Sequence, residues 1–210
     1  MELLFLSAGY AIYLVLAALA LWGAYCVVMV WRRVARTRFA SEYEQDEFLS
    51  ELEHALALKD FNAASELCDD DRRAMPQLAL FAIDNREMGY EELRHRVVER
   101  FQQDVLTDID HRLSWVNTVI KSAPMIGLLG TVIGMMGAFA NLSSGDKVDT
   151  IQMAEDIQFA LITTACGLAI AVPLVLCTAS INIRLSKTED LIGLGLRRLF
   201  ENLKAVLPRS

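Results

Sequence analysis

The chain has 210 residues, of which 54% are hydrophobic and 22% charged, with a formal net charge of −7 and a mean hydropathy of +0.32. A soluble domain spreads its apolar residues periodically. Here 80 residues pool into three runs without any charge, at 3–31, 122–145 and 157–183. Each exceeds the roughly 18 to 20 residues that cross a bilayer core, which excludes an ordinary soluble enzyme, a secreted disulfide scaffold and a disordered chain.

Residues 1–31 are expected to form a first transmembrane helix. A cleaved signal peptide has a basic start and an apolar core of about 7 to 15 residues, whereas only Glu2 precedes this run and the run is about twice that length. Arginines and lysines near span ends face the cytoplasm. Arg32, Arg33, Arg36 and Arg38 follow the first run, Lys121 precedes the second, and Arg184 and Lys187 follow the third. The opposite side holds Glu2 and a loop at 146–156 with four acids and one lysine. All three spans agree: the N-terminus is expected outside and the C-terminus in the cytoplasm.

Residues 32–121 read as a cytoplasmic helical domain. They carry 19 acids against 13 bases, a balance that argues against nucleic acid as partner. Helical spacing predicts a helix at 42–59 with Phe48, Leu52, Leu56 and Leu58 near one face, and a short one at 62–68. Asp69, Asp70, Asp71 and Pro76 then break the pattern before a third at 77–83. From Tyr90 onward Val98, Phe101, Val105, Ile109, Leu113, Val116 and Ile120 recur at steps of three or four. They predict one unbroken amphipathic helix that runs into the second span as a rigid rod, with Pro124 close to the membrane boundary. Its stripe is expected to pack on a cytoplasmic C-terminal helix at 184–210 through Leu191, Leu194, Leu196, Leu199 and Phe200, in a bundle protruding into the cytoplasm. Cys26, Cys68, Cys166 and Cys177 lack CxxC or metal-ligand spacing and read as small apolar fillers. His54, His95 and His111 stand apart on charged faces. No nucleophile motif, phosphate loop, cofactor signature or metal site is recognised, so an enzyme is not expected.

The second span, at 122–145, is two-faced. At about 100° per residue Ala123, Gly127, Gly130, Thr131, Gly134, Ala138 and Asn141 share a sector about 80° wide with Gly137 at its edge. Met125, Leu128, Leu129, Val132, Ile133, Met135, Met136 and Phe139 lie opposite. In the third span, at 157–183, Ala160, Thr164, Gly167, Ala171, Thr178 and Asn182 share a sector, with Cys166, Ile170 and Cys177 roughly opposite. Small faces let membrane helices approach closely, so one reading is packing alone. The other is a narrow polar path. Ion paths place an ionisable group inside the membrane, yet the three runs contain none, so a conducting chain of this kind needs a partner that brings one.

The stretches Ala-Pro-Met-Ile-Gly-Leu-Leu-Gly-Thr-Val-Ile-Gly-Met-Met from Ala123 and Ala-Leu-Ile-Thr-Thr-Ala-Cys-Gly-Leu-Ala-Ile-Ala-Val-Pro from Ala160 resemble the MotA/TolQ/ExbB proton channel family, in its ExbB/TolQ-like branch. The matching motifs cover residues 113–183. The resemblance implies an all-α membrane protein with three transmembrane helices and long helices extending into a cytoplasmic helical domain. It further implies a homopentamer in membrane lipid around a dimer of a single-span ExbD/TolR-like protein, whose helix carries the ion-accepting aspartate. A TonB-like transducer is a further candidate partner. Thr131 and Thr164 match the family's pore threonines, and Gly127, Gly134, Ala160, Gly167 and Asn141 are expected beside them as pore lining. Gly130, Gly137, Pro124 and Pro173 are expected to serve helix packing. The chain departs from the family at Phe159, where ExbB and TolQ typically have a glutamate five residues before the third-span threonine. The function implied is a channel-forming stator subunit of an ion-driven, expectedly proton-driven, motor. The alternatives are a structural membrane scaffold without conduction or a flagellar MotA-like stator subunit.

Overall fold

A computed structural model describes residues 2–39, 41–69, 71–143 and 150–206, the side chains of 2–8, 104–106, 141, 143 and 206 aside. Among the described residues every regular element is helical: α1 (Glu2–Thr37), α2 (Glu42–Ala57), α3 (Phe61–Asp69), α4 (Ala74–Asp84), α5 (Tyr90–Phe101), a π-helical turn (Gln102–Thr107), α6 (Asp108–Ser143) and α7 (Thr150–Val206). Helices α1, α6 and α7 are long and apolar enough to cross a membrane. The chain divides into two units, one of residues 1–29 and 112–180 and the other of 30–111 and 181–210.

The second unit is a small helical domain with its own core. Ser41 starts α2 by accepting a hydrogen bond from the Glu44 N–H at 3.2 Å, with Glu42 and Glu44 in the first turn. This Ser-x-x-Glu start satisfies free N–H groups and complements the helix dipole. The helix ends one residue earlier than its hydrophobic pattern suggests. Lys59 adopts φ 60°, a left-handed turn that ends the helix; Leu58, still helical in conformation and about 200° around from Leu56, is exposed, while Leu49, Leu52 and Leu56 are buried. Pro76, expected to lie outside a helix, sits in the first turn of α4, where its missing N–H costs nothing. Leu52, Leu56, Met75, Ile83, Leu93, Val97, Leu199 and Leu203 are fully buried in one core. Of the stripe expected on the C-terminal helix, Leu196, Leu199 and Phe200 join this core; Leu194 is exposed. Gly195 gives Met75 and Gln45 room against α7, and Gln45 Nε2 donates to the Leu191 carbonyl at 2.7 Å. Arg198 pairs with Asp46 and Glu53, and Arg73 with Asp71 and Glu44, around this contact.

The expected unbroken helix from Tyr90 contains the π turn at Gln102–Thr107. A π turn adds one residue to the hydrogen-bond ladder and rotates the face by about 100°. Accordingly Leu93 and Val97 are buried before it and Val98 is exposed, whereas Ile109, Leu113 and Val116 are buried after it. Discounting the inserted residue, Val97 and Ile109 are eleven steps of about 100° apart, which is three turns and about 20°. A stripe drawn at uniform helical spacing therefore starts one residue late at Val98.

Candidate functional site: a glycine and threonine seam

In the first unit α6 and α7 meet along a line of residues too small to keep their backbones apart. A methyl group built on Gly127 would lie 2.8 Å from the Thr163 carbonyl oxygen and 3.0 Å from Thr164 Cα. One on Gly134 would lie 2.7 Å from the Asp156 carbonyl oxygen and 2.9 Å from Ala160 Cβ, and one on Gly167 would lie 2.6 Å from the Ala123 carbonyl oxygen. Gly130 opens a notch filled by Thr163, whose Cβ would be 2.6 Å from such a methyl. Thr163 is fully buried and donates its hydroxyl to the Ala160 carbonyl at 2.8 Å. The sequence reading missed it, because its neighbour Thr164 carried the motif. The signal was available: Thr163 is three residues after Ala160 and four before Gly167, so it shares their face.

Two expected site residues come together at the edge of this contact. The Oγ1 atoms of Thr131 and Thr164 are 2.6 Å apart, and both side chains are half-buried. Thr164 also donates to the Gly127 carbonyl at 3.0 Å, and Thr131 reaches the same oxygen at 3.3 Å. Each hydroxyl owns one proton, so both protons are held within this triangle. What remains is acceptor capacity, which suits a protonated carboxyl; to donate toward a carboxylate, one hydroxyl must leave the Gly127 carbonyl.

The other expected positions are distributed as follows. Gly127, Gly134, Ala160 and Gly167 are buried within the α6–α7 contact of one chain. The side chain of Asn141 lies outside the described residues. Gly130 packs on Thr163, Gly137 on the Asp156 carboxylate, and Pro124 Cα lies 3.2 Å from the methyl position of Gly167. Pro173 is exposed; two residues beyond buried Ala171, it is turned about 200° around α7 and away from the seam. Phe159 stacks edge-on against Tyr13 of α1, with ring centroids 5.5 Å apart, and covers Gly9. The acid expected from the family is thus replaced by an aromatic contact that fixes α1. Farther along, Gly23 of α1 fits against Leu174 and Val119. Among the described residues the buried Thr178 hydroxyl has no hydrogen-bond partner.

Outside the seam, Met125, Leu128, Leu129, Val132, Met136 and Phe139 of α6 are exposed, as are Leu161, Leu168, Val172 and Leu176 of α7. Three apolar helices with bulky outer faces and a glycine–threonine seam define a multi-pass α-helical membrane protein. Residues 72–192 match the MotA/TolQ/ExbB proton channel family, and the chain belongs to that family, in its ExbB/TolQ-like branch. Among curated relatives, it is 40% identical over 89 residues to the Tol-Pal system protein TolQ of Haemophilus influenzae, covering 42% of this chain and 39% of the relative. It is 40% identical over 89 residues to an ExbB homologue of Methanothermobacter thermautotrophicus, covering 42% and 31%. It is 34% identical over 86 residues to the biopolymer transport protein ExbB of Aquifex aeolicus, covering 40% and 58%. The chain therefore spans between 31% and 58% of the length of these relatives.

Proposed function

We propose that the chain is the channel-forming stator subunit of an inner-membrane, proton-driven motor of the ExbB–ExbD/TolQ–TolR type. It assembles as a homopentamer, N-terminus in the periplasm, around a dimer of single-span ExbD/TolR-like chains that supply the ion-carrying aspartate. A TonB-like transducer is the candidate receiver of the motion. The observation that carries this reading is the Thr131–Thr164 hydroxyl pair, 2.6 Å apart and half-buried between two apolar helices. Paired hydroxyls offer a protonated carboxyl uncharged acceptors, and a hydroxyl released from the triangle can donate to the carboxylate. Each charge crossing 100 mV supplies about 2.3 kcal/mol, which would step the pentamer relative to the central dimer.

The test uses the chain purified with its single-span partner and reconstituted into vesicles under a pH gradient. Thr131→Val and Thr164→Val keep the shape but remove the hydroxyl, and are expected to abolish proton flux without loss of assembly. Thr164→Ser is expected to keep it, and native mass is expected to count five copies. A scaffold reading is favoured by the burial of Gly127, Gly134 and Gly167 within one chain. It prevails if both valine variants conduct like the wild type.

A further inference from the structure

The three charge-free runs place Asp156 outside the membrane, one residue before the third run. The pairing of α6 with α7 places it elsewhere. Its carbonyl oxygen approaches Gly134, and its carboxylate lies over Gly137, whose added methyl would be 3.2 Å from Oδ2 and 3.5 Å from Oδ1. Gly137 is six residues before Ser143, the last residue of α6, and at a rise of about 1.5 Å per residue this is about 9 Å inside that end of the helix. The carboxylate is half-buried on the α6 side of α7, in line with Ala160, Thr163 and Gly167. An ionisable group held between two apolar helices is costly to keep charged, and Gly137 is the residue whose missing side chain makes room for it.

Resting on the channel reading above, we propose that the Asp156 carboxyl is a second proton-accepting site, contributed by this chain at the outer end of the α6–α7 seam, with Gly137 as its positioning residue. Among the described residues α7 offers the neighbouring Glu155 as a titratable group, α1 offers Tyr10 and Tyr13, and α6 offers none between Lys121 and Ser143. The site therefore delivers protons toward the Thr131–Thr164 pair, and a partner carboxyl is the group that carries them past it.

Dicyclohexylcarbodiimide, which modifies protonated carboxyls in apolar surroundings, reads this directly by peptide mass spectrometry of the full chain in phosphatidylcholine vesicles. Asp156, half-buried against Gly137, is expected to be labelled several-fold faster than exposed Glu155. Labelling is expected to fall as pH rises, to be unchanged when sodium replaces potassium, and to weaken in Gly137→Ala but not in Gly89→Ala, where an added methyl meets nothing within 4 Å. Equal labelling of Glu155, or labelling unaffected by Gly137→Ala, overturns the site; protection by sodium overturns the assignment to protons. The readout does not involve Thr131 or Thr164. A channel that fails the valine test while Asp156 still labels refutes the channel reading alone, and an intact valine effect with unlabelled Asp156 refutes this site alone.

Discussion

Replacing Gly127 with alanine isolates the close approach of α6 and α7. The new methyl would stand 2.8 Å from the Thr163 carbonyl oxygen and 3.0 Å from Thr164 Cα, against ordinary contact beginning at 3.4 Å. Both neighbours are backbone, so no rotamer change relieves the clash, and the helices must part by about 0.4 to 0.6 Å. Such overpacking costs about 1–3 kcal/mol, while removing a helix-interior glycine returns up to about 1 kcal/mol. Gly193→Ala, also in a helix and with nothing within 4 Å, carries the propensity gain without the clash. The difference between the two variants, measured by denaturant or thermal unfolding in detergent, is expected to be about 1–3 kcal/mol against Gly127→Ala. The same parting stretches the 2.6 Å Thr131–Thr164 contact, so proton flux is expected to fall in Gly127→Ala alone. Equal stability of the two variants would refute the packing argument.

Three further outcomes are expected. Burial pushes the Cys68 thiol from 9.0 to about 12, with Asp71 and Asp84 adding to it. The unfolded thiol ionises first, so the stability is complete below pH 9 and is lost as pH rises toward about 12. Unfolding midpoints should decline more steeply above pH 9 in the wild type than in Cys68→Ala; parallel profiles would contradict the assignment. Deleting Gln103 from the π turn restores an α-helical ladder and keeps Val97 and Ile109 on one face, so it should change the melting midpoint little, whereas inserting an alanine there should lower it clearly. Thr178→Val removes a buried hydroxyl that has no partner and should be neutral or stabilising by up to about 1 kcal/mol in the same unfolding assay. A loss of 2 kcal/mol or more would mean that the hydroxyl has a partner after all.

Much of the fold was legible because its signals are local. Runs of uncharged residues longer than a bilayer is thick identify α1, α6 and α7 wherever they pack, and the helical spacing of Phe48, Leu52 and Leu56 marks α2. The glycine and threonine faces were legible for the same reason, since a helix fixes which residues share a side. Register was not. Uniform spacing cannot reveal the π turn that shifts the buried face from Val97 to Ile109, because it is a single-residue departure decided by what the helices must bury.

The charge-free runs by themselves determined that this chain is a membrane protein and, through the arginines that flank them, which way it is expected to sit. Tertiary structure alone decided what lies opposite each small residue. It brought Thr131 and Thr164 into contact across 33 residues of chain, put Phe159 against α1, and carried Asp156 inward to Gly137. The depth of a side chain in a helical pair is set by the stagger of the partner helix, and stagger is a property of two segments that neither segment's sequence contains.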